Sequence, residues 1–386
     1  MLEYYNSRGI IPVGQVITSS NPKLFKLQRE VLYSNLGITP NLFSGADVLE
    51  VGPGLGDNAT LISQYNPSSI TLVDGNKASI EALKHKIHLG VIKNSEIVES
   101  DINSFATHAQ GKLYDIVICE GVINGNPNPE ILFRQLTTLV KPGGILICTA
   151  VSEFGVVDQA IRRVFLPAIR QISNSEDDVI AFATQIFEKH LHTLPTTKKI
   201  RDWIFDAILH PLGKNYIFSF EHIIDELEND GNAFVVYGSS PKFFQDSRWH
   251  KSYTSVNDLT TVNLDFKKQF LSIRPLLIDS RLTFKDLKSI SHRGILESHD
   301  VAQIPRKIWD MSVDIVESND YSNLPSFLVL ISKLKTHLSF APYIVKSIDE
   351  LELFLPELCK GNFLPLAEFS KWFGRGLLYL SIRKST

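Results

Sequence analysis

Three cysteines in 386 residues are too few for a disulfide framework. Cys119 and Cys148 fall in apolar runs that read as core strands, and Cys359 lies far off in a helical stretch. No CxxC pair offers a metal site, and all three read as buried, reduced thiols. Long apolar runs are missing too: none approaches the ~20 residues of a membrane span. The opening Met1-Leu2-Glu3-Tyr4-Tyr5-Asn6 lacks the basic and apolar regions of a secretory leader, so the cytoplasm is the expected location. Nor is there an excess of positive charge. Against 42 Asp and Glu stand 39 Lys and Arg, for a formal charge of -3, and the basic residues are scattered apart from short groups such as Lys198-Lys199-Ile200-Arg201. A nucleic-acid partner needs concentrated positive charge against its phosphates and is not expected. Internal repeats and low-complexity tracts are absent as well.

What is present is the composition of a globular chain, 44% hydrophobic and 21% charged, long enough to bury a sizeable core. From residue 46 to 150, short apolar runs alternate with helix-length segments, the pattern of a parallel sheet with crossover helices. The pattern predicts strands near 47-51, 69-73, 95-98, 114-119 and 144-150. Helices are expected over Asp57 to Gln64, Lys77 to His88 and Glu130 to Val140, with Lys141-Pro142-Gly143-Gly144 as a helix stop and turn. After Ala150 the periodicity becomes helical, is interrupted by a strand-like Ala233-Phe234-Val235-Val236-Tyr237-Gly238, and turns helical again. The last apolar, β-prone run is Leu377-Leu378-Tyr379-Leu380-Ser381-Ile382.

The strongest chemical signal is Val48-Leu49-Glu50-Val51-Gly52-Pro53-Gly54-Leu55-Gly56, a strand that ends in a glycine-rich turn and opens a helix. Glycines let a backbone pass where any Cβ would collide. A nicotinamide or flavin fingerprint reads G-x-G-x-x-G; this one reads G-x-G-x-G, with an acidic residue two places before the first glycine. Three further motifs follow in order: Ile70-Thr71-Leu72-Val73-Asp74, Glu99-Ser100-Asp101-Ile102, and Tyr114-Asp115-Ile116-Val117-Ile118-Cys119-Glu120-Gly121. With Leu139-Val140-Lys141-Pro142-Gly143-Gly144 they give residues 46 to 150 a resemblance to the class I S-adenosylmethionine-dependent methyltransferase family. The resemblance implies a doubly wound α/β fold with a seven-stranded, mostly parallel sheet. It also implies S-adenosylmethionine as cofactor, held by Glu50, Gly52, Pro53, Gly54 and Gly56. Gly75 would also bind the cofactor, Asp74 would serve the ribose, Asp101 and Ile102 the adenine, and Glu120 stands as either a further contact or a solvated turn residue.

In that fold the sixth strand is parallel and the seventh runs antiparallel between the fifth and sixth. The resemblance thus assigns Phe234 to Tyr237 and Leu377 to Ile382 to those two places. It divides the chain into an N-terminal helical segment, 1-45, and a cofactor-binding core, 46-150. A helical cap insertion at 151-218, a core helix and strand at 219-239, a second helical cap at 240-370 and a final core strand at 371-386 complete the layout. Both insertions leave from carboxyl ends of parallel strands, the edge where such sheets bind ligands.

The acceptor side is written less plainly. An Asn-Pro-Pro-Tyr type of motif and a Pro-Cys nucleophile are both missing after the fourth strand, and the run Gly121 to Pro129 looks closer to small-molecule methyltransferases. There, Asn124-Gly125 stand where those enzymes commonly carry His-His. Candidate bases are His210 and His250, and candidate substrate contacts ahead of the first strand are Tyr4, Tyr5 and Gln15. His190-Leu191-His192 has a metal-like look, but on a helix i and i+2 point apart, and no metal is expected. The expected function is methyl transfer to a small or medium-sized metabolite, such as a sugar, at oxygen or nitrogen. The alternative is a cofactor-binding interaction module or a protein methyltransferase.

Overall fold

The computed structural model describes residues 2–11, 21–109, 111–192, 200–229, 233–242, 258–283, 286, 299–338, 340–364 and 366–386. The chain forms two units. One comprises residues 1–151, 215–270 and 377–386, the other 152–214 and 271–376.

The first unit is built on a seven-stranded sheet. In chain order its elements are α1 (Leu2–Asn6), α2 (Pro22–Asn35), β1 (Asp47–Val51), α3 (Asp57–Ser63), β2 (Ser69–Asp74), α4 (Lys77–His88), β3 (Ser95–Glu99), α5 (Ile102–His108), β4 (Tyr114–Cys119), α6 (Pro129–Thr138) and β5 (Val140–Val151). The strand order is β3-β2-β1-β4-β5-β7-β6, where β6 is Phe234–Ser240 and β7 is Leu377–Lys384. All pairs up to β5 are parallel; β7 is antiparallel to both of its neighbours. This is the doubly wound arrangement expected from the alternation of apolar runs and helices. The strands β1, β2 and β4 are mostly apolar because helices cover both faces of a parallel sheet. Local chemistry starts the helices. Asn21 caps α2 by accepting the Leu24 N–H at 3.1 Å, and Asn76 caps α4 by accepting the Ser79 N–H at 3.0 Å.

Strand β5 starts earlier than expected, at Val140. Pro142-Gly143, expected as a turn, is instead a bulge inside the strand: Tyr114 faces Val140 while Ile116 already faces Ile145, and Gly143 takes a left-handed φ of 76°. After β5, a helix at Phe220–Asn229 and one at Asp258–Ile273 complete this unit. The second is tied to β6 by Asn263, which donates to the Phe234 carbonyl and accepts the Val236 N–H, each at 2.9 Å. Its Phe266 and Phe270 pack on Phe220.

The second unit is helical. Its largest elements are Glu176–His192, Ile304–Ser318, Leu324–Thr336 and Pro342–Leu358. Phe165 lies at its centre, with ring centroids 5.2 Å from Phe354 and 5.4 Å from Phe187. Fully buried Trp309 and Trp372 satisfy their indole N–H groups on the carbonyls of Gly213 and Ile278. Gly155 lies so near the backbone of Gly374-Arg375-Gly376 that a Cβ would meet the Arg375 carbonyl. Two segments distant in sequence thus cross where only glycine fits.

Candidate functional site

The register lines up one face of the sheet. Val48 and Glu50 share that face with Ile70 and Leu72, with Ile116 and Ile118, and with Ile145 and Ile147. All but Glu50 belong to one apolar cluster with Phe25, Tyr33 and Leu36 of the α2 segment, or continue it. At the carboxyl ends the same alternation turns polar: Asp74 ends β2, Glu50 nearly ends β1, Glu120 follows β4, and Thr149 on β5 pairs with Tyr379 on β7. An apolar floor with polar groups along its carboxyl edge is the setting in which α/β sheets bind ligands.

The glycine turn lies on that edge. Gly52, Gly54 and Gly56 all have left-handed φ, at 67°, 55° and 72°. A Cβ on Gly52 would run into Val122, and one on Gly56 would lie 2.6 Å from Leu83 Cδ2. Two of the three glycines are therefore required by conformation and by close packing within the protein, whatever a ligand adds. Asp74 accepts the Gly54 N–H at 3.3 Å on one carboxylate oxygen and the Asn76 N–H at 2.8 Å on the other. Its partial burial pushes the carboxyl up from its ordinary value, against the lowering effect of those N–H groups. Beyond it, Gly75 is covered by Leu2 of α1, and Asn6 bridges the same turn: its Nδ2 donates to the Gly75 carbonyl at 3.2 Å and its Oδ1 accepts the Lys77 N–H at 3.0 Å. Asp101 caps α5, accepting the Ser104 N–H at 3.0 Å, and Ile102 opens that helix.

Glu120 is not a solvated turn residue. Arg29 of α2 forks across it, with Nη2 at 2.6 Å from Oε1 and Nη1 at 3.0 Å from Oε2. Arg29 also donates to the Tyr33 hydroxyl at 3.2 Å, and the Asn58 amide lies 3.4 Å from Glu120 Oε2. Glu50, 3% exposed, sits in the same cluster. Arg29 and Tyr33 are neighbours of the candidate site that motif reading does not find. The signal was there: Phe25, Arg29 and Tyr33, at i, i+4 and i+8, form the buried face of α2, and a charge on such a face needs a partner.

Residues 42–227 match the family model described as a methyltransferase domain. Those residues carry a methyltransferase domain. It is 32% identical over 139 residues to the protein-L-isoaspartate O-methyltransferase of Pyrococcus abyssi (strain GE5 / Orsay), covering 36% of this chain and 55% of that protein. To the mitochondrial ubiquinone biosynthesis O-methyltransferase of Schizosaccharomyces pombe it is 26% identical over 172 residues, covering 44% and 58%. The chain thus spans little more than half the length of these relatives. Among solved structures, PKMT2 from Rickettsia typhi in complex with AdoHcy is 19% identical, covers 62% of this chain and 50% of its own, and gives a TM-score of 0.42.

The acceptor-side candidates fall in both units and outside the described residues. Tyr4 and Tyr5 lie on α1 beside the methyltransferase domain's Gly75 turn; Tyr5 is buried, and Arg8 stacks over Tyr4 at 4.1 Å. His210 is in the helical unit, 5% exposed. Burial, together with the Arg163 guanidinium, pushes its imidazole down to about 3, which leaves it neutral and weakly basic near pH 7. Arg163 Nη1 also donates to the His210 carbonyl at 2.6 Å. Gln15 and His250 lie outside the described residues. Asn124, which stands in place of the familiar histidine, is buried, and its Nδ2 donates to the carbonyls of Tyr216 and Phe218. Among the described residues no group of three His, Cys, Asp or Glu is placed to hold a metal ion, and no helix is long and apolar enough to cross a membrane.

Proposed function

We propose that the protein transfers a methyl group from S-adenosylmethionine to an oxygen or nitrogen of a small or medium-sized metabolite. The observation that carries this reading is the pairing of Asp74 with the glycine turn. A half-buried carboxylate at the end of β2 is held by the Gly54 and Asn76 N–H groups, so it is oriented as an acceptor before any ligand arrives. That fits the two hydroxyls of a ribose. Asp101 and Ile102, at the start of α5, would meet the adenine, and the glycine turn would admit the amino-acid end.

When bound, S-adenosylmethionine supplies an electrophilic methyl on a sulfonium whose positive charge is lost on transfer. The residues of the chain then have three tasks: to hold the donor, to exclude water and to align an acceptor. Asp74 and the glycine turn hold; Leu2 and Asn6 of α1, lying on the Gly75 turn, restrict access to it. For a hydroxyl acceptor a base is needed, and of the two histidines His250 is the one proposed, since burial leaves His210 too weakly basic to take the proton.

Titration of the full chain with S-adenosylmethionine, followed by a screen of a metabolite extract and of a protein extract for donor turnover, tests the proposal. Donor binding with turnover confined to metabolites is expected. No donor binding would overturn the reading; turnover confined to the protein extract would transfer it to protein methylation.

A further inference from the structure

Two carboxyls and one guanidinium share the buried space beside the glycine turn. Arg29 commits both of its end nitrogens to Glu120, and the side chains of that pair are only 10% and 15% exposed. Glu50 is left with one oxygen, Oε2, that no hydrogen-bond donor reaches. An ionised carboxylate in such a place is costly, so the carboxyl group stays protonated until a positive charge comes near. The groups facing Glu50 act in that direction. Glu120 after β4 and Asp57 on α3 oppose its ionisation; the Asn58 amide on α3 and the already paired Arg29 on α2 ease it only in part. Tyr33 on α2 and Tyr379 on β7 face the cluster as neutral phenols, each pushed up to about 12 by burial. Burial, with Glu120 next, pushes the Glu50 carboxyl up to about 8.

We infer that Arg29 is a positioning residue that sets the charge of the donor site: because both of its end nitrogens are committed to Glu120, buried Glu50 keeps a proton in the free protein, and Glu50 releases that proton when a cationic donor binds at the glycine turn. The inference rests on the reading of this site as one for S-adenosylmethionine. The O–H bond at Glu50 breaks, its proton passes to the buffer, and the carboxylate faces the sulfonium. Methyl transfer removes the positive charge from sulfur, so the carboxylate loses its partner, takes a proton back, and favours departure of the neutral thioether. The site thereby distinguishes donor from product by charge. Arg29, Tyr33 and Tyr379 all lie outside residues 42–227, so the device belongs to what this chain adds around the matched domain.

Calorimetry of the full chain at about pH 7, in two buffers of different ionisation enthalpy, counts the protons. Close to one proton released per S-adenosylmethionine bound is expected, with a smaller number for S-adenosylhomocysteine and none for Glu50→Gln. Between about pH 6 and 8, the donor affinity of the parent should rise about tenfold per pH unit relative to that variant. Arg29→Met, which strips Glu120 of its cation, should raise the proton count above one, and Arg29→Lys should return it toward one. Where an Arg29 variant fails to fold, infrared spectroscopy of the free parent and of Glu50→Gln still decides: a protonated-carboxyl band is expected in the first and not in the second. Donor binding without proton release, an unchanged count in Glu50→Gln, or no such band overturns the inference and leaves the donor reading standing. Absence of donor binding overturns both.

Discussion

Removing the last ten residues, Leu377 to Thr386, should prevent the sheet unit from folding rather than trim a tail. Strand β7 lies between β5 and β6, and among the described residues β6 has no other strand neighbour, so its loss exposes the edges of two strands at once. Leu378, Leu380 and Ile382 are fully buried, as is Ser381, whose hydroxyl donates to the Leu36 carbonyl at 2.6 Å. Burial of each large aliphatic side chain contributes about 1.5 to 3 kcal/mol. The three together reach about 5 to 9 kcal/mol, and allowing ~10–40% for compaction of the unfolded chain leaves roughly 3 to 8. That is a large share of the ~5 to 15 kcal/mol that holds a protein folded, before any ladder hydrogen bond is counted. Three of the four tryptophans, Trp203, Trp309 and Trp372, belong to the helical unit, so donor titration and far-ultraviolet circular dichroism are the assays that report on the sheet. A milder arm is Leu380→Ala, expected to cost about 2 to 5 kcal/mol in denaturant titration. A soluble 1–376 chain that melts cooperatively near the parent temperature and still binds donor would refute the argument.

Two other predictions concern single side chains. Asp74→Ala should weaken S-adenosylmethionine binding through loss of two charge-assisted hydrogen bonds, each worth about 1.5 to 3 kcal/mol, with little change in melting temperature; calorimetry that finds parental affinity would remove Asp74 from the site. His210 has a folded value near 3 against about 6.5 unfolded, so below pH 6.5 the unfolded chain takes up a proton that the folded protein refuses, and stability falls with pH. The parent should lose about 2 kcal/mol between pH 6.5 and 5, and His210→Gln should flatten that slope in denaturant titrations at the two pH values.

The sheet was legible because parallel strands buried on both faces are written as mostly apolar runs, and β1, β2 and β4 lie where those runs do. The start of β5 was not, since Pro142-Gly143 is the same sequence signal whether the chain turns or bulges. The helix at Asp258–Ile273 was visible as a helix, but amphipathicity says only that a face is buried; that Asn263 docks it on β6 depends on residues nearly thirty positions away. The same limit applies to the site. Glu50, Asp74 and Asp101 stand at fixed places relative to their strands, so a local motif finds them. Arg29 meets Glu120 across 91 residues, and no local window contains both.

The glycine turn carries a further lesson, because its three glycines do not have one reason. Gly52 has a left-handed φ and a Cβ on it would strike Val122, so loss of donor binding in Gly52→Ala by itself says nothing about a ligand. The two causes separate in a double variant. Val122→Ala removes the Cγ2 that a Cβ on residue 52 would meet, leaving only the cost of a left-handed alanine, about 1 to 2 kcal/mol. If Gly52 serves packing alone, Gly52→Ala with Val122→Ala should bind S-adenosylmethionine almost as tightly as Val122→Ala, with the difference appearing in melting temperature. If the donor passes close to the Gly52 backbone, the double variant should fold yet bind at least tenfold more weakly. We expect the second result. Donor affinity restored in the double variant would show that this glycine is present for Val122 and for the turn, and that the close approach to ligand belongs to Gly54.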